Sequence, residues 1–392
     1  MIFVGIDVAK DKHDCCILSA QGEALDPSFT IANNRAGFTR LYEKIRCFAP
    51  DADQIRVGLE ATGHYSCNLL AFLLEKQLPT VLINPLHTNF YRRSITLRLT
   101  KTDKVDAQTI AAMLADDRTL KLCTPAQRRY EDLKSLTRYR FDKVKERAKL
   151  KQSVSRLVTI LFPELEKLVP SLHIASVYTL LSEYPGAAAV SAAHLTRLTN
   201  LLSAASKGRY DRENALAIRE AARSSIGSDL PAKSLELRHT IALIRELDGE
   251  IEEIEEQIRT IMDAIASPIL TIPGINYRMG AMIIAEIGDF SRFDSPDQIL
   301  AYAGLSPSIY QSGQLVNSHA RMEKRGSRYL RYALFNATKY VCQWDPVFRE
   351  YLAKKRAEGK HYNVAVSHAA KKLVRVIYAL EKNGGPYHKR EG

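Results

Sequence analysis

Short apolar runs separated by polar turns open the chain, and their spacing predicts strands. Ile2 to Ala9 and Asp14 to Ala20 read as a hairpin pair, with a turn following at Gln21-Gly22, and a third strand is expected over Ser28 to Ala32. The period then changes. Phe38, Leu41, Ile45 and Phe48 recur at helical spacing, Ile55–Glu60 reads as a strand, and Leu69, Leu70, Leu73 and Leu74 predict a helix. Pro79 and Pro85 enclose one more apolar strand, Thr80-Val81-Leu82-Ile83, and a helix-like segment opens near Lys101.

Three early strands followed by alternating helices and strands give residues 1–124 an α/β order that fits a ribonuclease-H-like domain. Beyond it the pattern is helical. Leu133, Leu136, Val144, Val154, Leu157 and Leu161 share one stripe of a long helix over 126–162. Residues 163–232 are rich in Ala, Ser and Leu and punctuated by Pro and Gly, as in a small helical lobe. A second long helix follows over 233–266, where Leu237, Ile241, Ile244, Leu247, Ile251, Ile254, Ile258, Ile261 and Ile265 step by three or four, as a coiled-coil seam does. Pro268 breaks it. The expected organisation is therefore 1–124, an antiparallel coiled-coil linker over 125–266 with the lobe at its tip, a mainly helical domain over 267–382, and a mobile tail over 383–392. The seam serves equally well for dimerisation.

Charge narrows the function. The formal net charge is +12 and the pI about 9.3, a surplus that favours nucleic acid or another anionic partner. It is concentrated. From Gln127 to Leu161 there are 11 Lys and Arg against 4 Asp and Glu, including Arg138, Arg140, Lys143, Lys145 and Arg147. That asymmetry points to nucleic-acid contact; the second long helix is acidic, with Glu250, Glu252, Glu253, Glu255 and Glu256 crowded together. The six cysteines form no C-x-x-C pair, which argues against zinc and reads as free thiols in a reducing cytosol. With neither a signal-like N-terminus nor an apolar run long enough to span a bilayer, a cytoplasmic protein is expected.

Four carboxylates carry the chemistry. Asp7 ends the first strand run, Glu60 ends the fourth, and Asp103 and Asp106 lie three apart at the helix start, on one face. Each has a plainer reading: an Asp after a strand forms turns, and Asp103 can cap the helix that follows it. Together, on rigid elements in a cationic protein, they predict a Mg²⁺ site, with Mn²⁺ as the alternative ion, acting on phosphodiesters. Lys101 beside the pair is placed to steer a phosphate.

The C-terminal part offers a second constellation. Leu270-Thr271-Ile272-Pro273-Gly274-Ile275 leading into a helix over Met279–Ile287 resembles a helix-hairpin-helix. After Tyr302-Ala303-Gly304-Leu305 comes Ser312-Gly313, a turn serine or an exposed hydroxyl. It is followed by Arg321, Lys324, Arg325, Arg328 and Arg331, which suit a scissile phosphate.

Gly5-Ile6-Asp7-Val8-Ala9-Lys10, Glu60-Ala61-Thr62-Gly63, Lys101-Thr102-Asp103 with Asp106-Ala107, Ile272-Pro273-Gly274-Ile275, and Tyr302-Ala303-Gly304-Leu305 with Ser312-Gly313 resemble the DEDD insertion-sequence transposases. These bridge-RNA-guided serine recombinases are related to the pilin-gene-inverting enzymes. The resemblance runs from about residue 1 to 382. It implies a RuvC-like N-terminal domain, a coiled-coil linker and a C-terminal transposase domain. It also implies Mg²⁺ on Asp7, Glu60, Asp103 and Asp106, and Ser312 as the nucleophile of a phosphoserine intermediate. The implied partners are donor and target DNA, a noncoding guide RNA, and further copies of the chain. Inversion in place of insertion, and junction cleavage by metal-activated water, are the rival activities.

Overall fold

The computed structural model describes residues 1–61, 63–95, 102–117, 119–123, 125–307, 311–312, 315–316 and 322–388, with backbone alone at 86, 125–129, 311, 312, 315 and 316. They fall into two compact units, 1–129 and 130–392. No helix among them is long and apolar enough to cross a membrane.

The first unit is a mixed five-stranded sheet flanked by helices. β1 (Ile2–Val8), β2 (Lys12–Ser19) and β3 (Ala24–Ala32) form an antiparallel meander, and β4 (Ile55–Glu60) and β5 (Thr80–Ile83) extend it in parallel, in the order β3-β2-β1-β4-β5. The helices are α1 (Arg35–Phe48), α2 (Ser66–Glu75), α3 (Pro85–Ile95) and α4 (Asp103–Asp116). Period-two alternation divides β1 between two cores. Ile2, Val4, Ile6 and Val8 pack with α1 and α2, through Leu41, Ile45, Leu69 and Leu73; Phe3 packs on the other face with Ile110, Ala111 and Leu114 of α4. Fully burying such a side chain stabilises by roughly 1.5–3 kcal/mol. The third strand begins four residues earlier than its apolar run, because only Phe29 and Ile31 of its length are buried. Helix α3 is an addition to the sequence expectation. Its polar, aromatic-rich sequence, PLHTNFYRRSI, lacks a clean apolar stripe.

The second unit is mostly helical. It contains α5 (Pro125–Leu161) from Tyr130 onward, then α6 (Leu165–Leu168), α7 (Ala175–Glu183), α8 (Ala187–Ala192), α9 (Leu195–Ser206) and α10 (Arg212–Arg223). These are followed by α11 (Pro231–Ile265), α12 (Tyr277–Ile287), α13 (Pro296–Tyr302), α14 (Arg328–Trp344), α15 (Pro346–Ala357) and α16 (Tyr362–Asn383), with a two-residue hairpin, β6 (Gln311–Ser312) and β7 (Leu315–Val316), before α14. Helices α5 and α11 run antiparallel, as their ion pairs record: Arg140–Glu255, Lys143–Glu250, Arg147–Asp248 and Arg156–Glu236 advance along one helix as they retreat along the other. The seam of α11 ends on Met262, which is fully buried, while Ile261 and Ile265 are only partly covered. Helices α6–α10 wrap the far ends of both long helices around Leu157, Leu161, Leu237 and Ile241.

Candidate functional site

The acidic cluster follows from strand register and two glycines. β1 and β4 pair in parallel with Gly5 opposite Gly58 and Ile6 opposite Leu59, so Asp7 and Glu60 come next at the same level and on the same face. That face is the one α4 covers. A Cβ on Gly5 would lie 2.1 Å from the Ala107 carbonyl oxygen, so the helix rests on bare backbone there. At Gly58 a Cβ would meet side chains alone, Leu114 at 2.7 Å and Ile110 at 3.1 Å. The repeated spacing Gly-x-Asp and Gly-x-Glu therefore has a mechanical cause: small residues let α4 descend until its first turn stands beside both carboxylates.

Thr102 caps α4, its Oγ accepting from the Val105 N–H at 3.3 Å. Asp103 and Asp106 are thus relieved of capping and project from the first turn, where the helix dipole favours negative charge by about 0.3–1 kcal/mol each. Asp103 is exposed and Asp106 buried. Burial, then the charges of Asp106, Asp103, Glu60 and Asp14 in that order, push the Asp7 carboxyl up to about 6. The quartet is therefore mutually repulsive as it stands.

Two neighbours were missed by sequence reasoning. Asp14 sits opposite Asp7 across the β1–β2 pair, buried, accepting from the Thr30 hydroxyl at 2.7 Å. Its place inside a strand hides it from any search of strand ends. Arg92 on α3 donates to Asp106 Oδ1 at 2.9 Å and to Asn89 Oδ1 at 3.3 Å. The Arg92-Arg93 pair near the end of a helix beginning at Pro85 was the available signal.

Such a donor set, all oxygen and carrying surplus negative charge, fits a hard divalent cation. Among the described residues no three carboxylate, imidazole or thiol groups stand close enough to form a finished cage.

The remaining predicted residues are placed as follows. Lys101 and Arg321 lie outside the described residues, as does the Ser312 side chain; the Ser312 backbone lies in β6, paired with Leu315. Arg138 makes a two-pronged contact with buried Glu286, at 2.6 and 3.0 Å, and Glu286 also accepts from the Ser327 hydroxyl at 2.6 Å. Arg140, Lys143 and Arg147 pair with acids of α11, and Lys145 stands over the Phe141 ring. Lys324, Arg325 and Arg328 are exposed. Arg331 donates to the main-chain oxygens of Ala303 and Lys324, at 3.0 and 3.1 Å, tying together the two ends of the 304–326 segment that carries Ser312. Gly304 and Gly326 have positive φ there, and a Cβ on Gly326 would lie 2.1 Å from the Tyr302 carbonyl oxygen. In the 270–288 segment, Asn276 caps α12 by accepting from Met279 N–H, and Gly274 lets the turn touch the α14 backbone at Tyr340.

A mixed sheet with carboxylates at the ends of adjacent parallel strands and at the start of a flanking helix defines a ribonuclease-H-like domain for phosphodiester chemistry. Comparison with known proteins makes this specific. The DEDD transposase family model matches residues 4–163, and the model for the transposase IS116/IS110/IS902 family matches residues 266–353. The chain belongs to this family of transposases, enzymes of DNA strand transfer. It is 28% identical to an uncharacterized 44.8 kDa protein of insertion element IS116 from Streptomyces clavuligerus, over 97% of this chain and 94% of that one. It is 24% identical to the pilin gene-inverting protein of Moraxella bovis, over 99% and 98%. With the transposase of insertion element IS1111A from Coxiella burnetii it shares 25%, over 86% and 76%. Membership implies binding to DNA and, for the DEDD domain, a divalent metal.

Proposed function

We propose that the protein moves its insertion element by a two-part chemistry: an acidic site holding Mg²⁺ and a serine that attacks DNA. Asp7, Glu60, Asp103 and Asp106 would hold the ion, which when bound supplies Lewis-acid polarisation of a scissile phosphate. Ser312 Oγ forms a bond to phosphorus as the bond from phosphorus to the 3′ oxygen breaks, releasing a 3′ hydroxyl and leaving the 5′ phosphate on serine. Attack by another 3′ hydroxyl reverses the exchange and reseals the strand without outside energy. Exposed Lys324, Arg325 and Arg328 supply cations for the phosphates. A noncoding RNA guide and assembly of several copies complete the reading, on the strength of the resemblance.

The observation that carries it is the convergence of carboxylates from the ends of β1 and β4 and the first turn of α4, which raises Asp7. End-labelled element DNA, reacted and run on a denaturing gel, tests it. Wild type gives a protein–DNA adduct; Ser312→Ala and Asp106→Asn give none while still binding DNA. An adduct persisting in Ser312→Ala contradicts the serine, and cleavage without any adduct supports hydrolysis by activated water. Near full-length similarity to pilin gene-inverting proteins favours inversion as the second reading. A substrate with two inverted sites separates inversion from insertion.

A further inference from the structure

Helix α14 presents an aromatic face that the chemistry above leaves unused. Tyr332, Tyr340 and Trp344 are 43%, 51% and 61% exposed. With Asn336 they step by four along the helix, so they line neighbouring turns. Packing does not account for them, because the buried stripe is a different one: Leu330, Ala333, Leu334, Ala337 and Val341. Tyr332 meets Phe141 edge-on, with centroids 4.8 Å apart, and so is held in place with its remaining surface open. Tyr362, 42% exposed, joins Asn336, Lys339, Tyr340, Gln343 and Leu352 around an open groove of about 460 Å³, a volume typical of ligand sites.

Charge decides what fits. The 17 residues of α14 include Arg328, Arg331 and Lys339 and no Asp or Glu, and among the described residues no acid lines the groove. Lys339 lies over the Phe335 ring, 4.9 Å from its centroid. A row of rings and amides edged by cations matches a strand of unpaired nucleotides. Rings stack on base faces, amides reach base edges, and cations meet phosphates. A duplex hides those base faces within its own stack.

We propose that the α14 face, with Tyr362, binds an unpaired nucleic-acid strand by stacking its bases on Tyr340 and Trp344, with Tyr332 continuing the row. The inference rests on the family's action on DNA and adds a strand-separated partner held by the second unit.

Trp344 is the chain's single tryptophan, so its emission reports this face alone. The full-length protein is titrated with 20-nucleotide oligo(dT), oligo(U) and a 20-base-pair duplex, following both tryptophan emission and the anisotropy of labelled strand. Single strands are expected to quench Trp344 and the duplex is not. Tyr340→Ala and Trp344→Ala, each exposed and checked by thermal unfolding, should weaken single-strand binding about 5- to 50-fold. Tyr340→Phe should bind as wild type, and duplex affinity should not change. Preference for oligo(U) or oligo(dT) identifies the strand as RNA or DNA. The proposal is overturned if strands bind without moving Trp344 emission, or if both alanine variants bind them normally. It is equally overturned if light scattering shows that those variants lose an oligomer while strand binding persists. In all these outcomes intact duplex binding and adduct formation leave the transposase reading standing.

Discussion

At the first unit's strand ends, Asp7, Glu60, Asp103 and Asp106 crowd together, and Arg92 is the cation that meets Asp106. Along α5 of the second unit the opposite holds: Arg138, Arg140, Lys143 and Arg147 each meet an acid. The sequence shows one as scattered carboxylates at element ends and the other as a run of like charge. Folding pairs one helix face with acids residue by residue, and in the other region it leaves Asp7 raised by burial and by the carboxylates around it. Compensated charge builds architecture, here an antiparallel helix pair and the anchoring of Glu286. Like charges gathered on rigid backbone, as around Asp7, suit a ligand of opposite sign.

The first region depends on close approach through glycine, and the largest effects should follow from filling that space. Gly5→Ala puts a methyl group 2.1 Å from a carbonyl oxygen of α4. It should destabilise the protein by about 3 kcal/mol or more and detach Asp103 and Asp106 from Asp7. Gly58→Ala, which meets the Leu114 and Ile110 side chains and no backbone, should cost about 1 kcal/mol. Urea unfolding of both variants checks the contrast, and equal losses would break the account of why α4 sits where it does.

Next in size is the compensated side. Arg138→Ala strands buried Glu286, although Ser327 still donates to it. With Arg138 partly exposed, the loss should be about 2–3 kcal/mol, visible as a lower midpoint in thermal unfolding at any Mg²⁺ concentration. A variant as stable as wild type would mean that the pair is only a surface contact. Arg331→Ala should cost about 1–2 kcal/mol by releasing two carbonyls at the base of the Ser312 segment. Adduct formation should fall further than DNA binding does, measured on the same labelled substrate.

The smallest effect has the most telling sign. The Asp7 carboxyl is raised from 3.8 to about 6, so the folded state holds its proton more tightly than the unfolded chain does. Ionisation of Asp7 therefore weakens the apo protein progressively between pH 4 and 6, and the full penalty is present above 6. Without metal, Asp7→Asn should stabilise the protein at pH 7.5 by on the order of 1 kcal/mol after allowing for solvent screening, and by nothing at pH 4. Thermal unfolding in chelator across that range measures it. Destabilisation at pH 7.5 would mean that the cluster is already compensated.

Much of this was legible beforehand, and the gaps have physical causes. Short apolar runs bounded by polar turns marked β1, β2, β4 and β5. Helix α3 escaped because it buries no clean stripe, and Arg92 escaped with it. The quartet stood out because each member ends or begins a rigid element. Asp14 did not, since its partner lies across a strand pair. Opposite charge on the two long helices already suggested an antiparallel pair, but their register, with Arg140 against Glu255 and Arg147 against Asp248, is not visible in two separate patterns. The aromatic row on α14 is visible as Tyr-x₃-Asn-x₃-Tyr-x₃-Trp, yet only the fold reveals which side of that helix is covered.

The central claim is that the carboxylate cluster is a divalent-cation site. Calorimetric titration of Mn²⁺ into the full-length protein at pH 7.5 and pH 5.5 tests it directly. Wild type should bind the ion, more weakly at pH 5.5 where Asp7 takes up its proton, and Asp7→Asn and Asp106→Asn should each lose at least tenfold in affinity. Binding that is the same in wild type and both variants, or no binding by wild type at all, would contradict it.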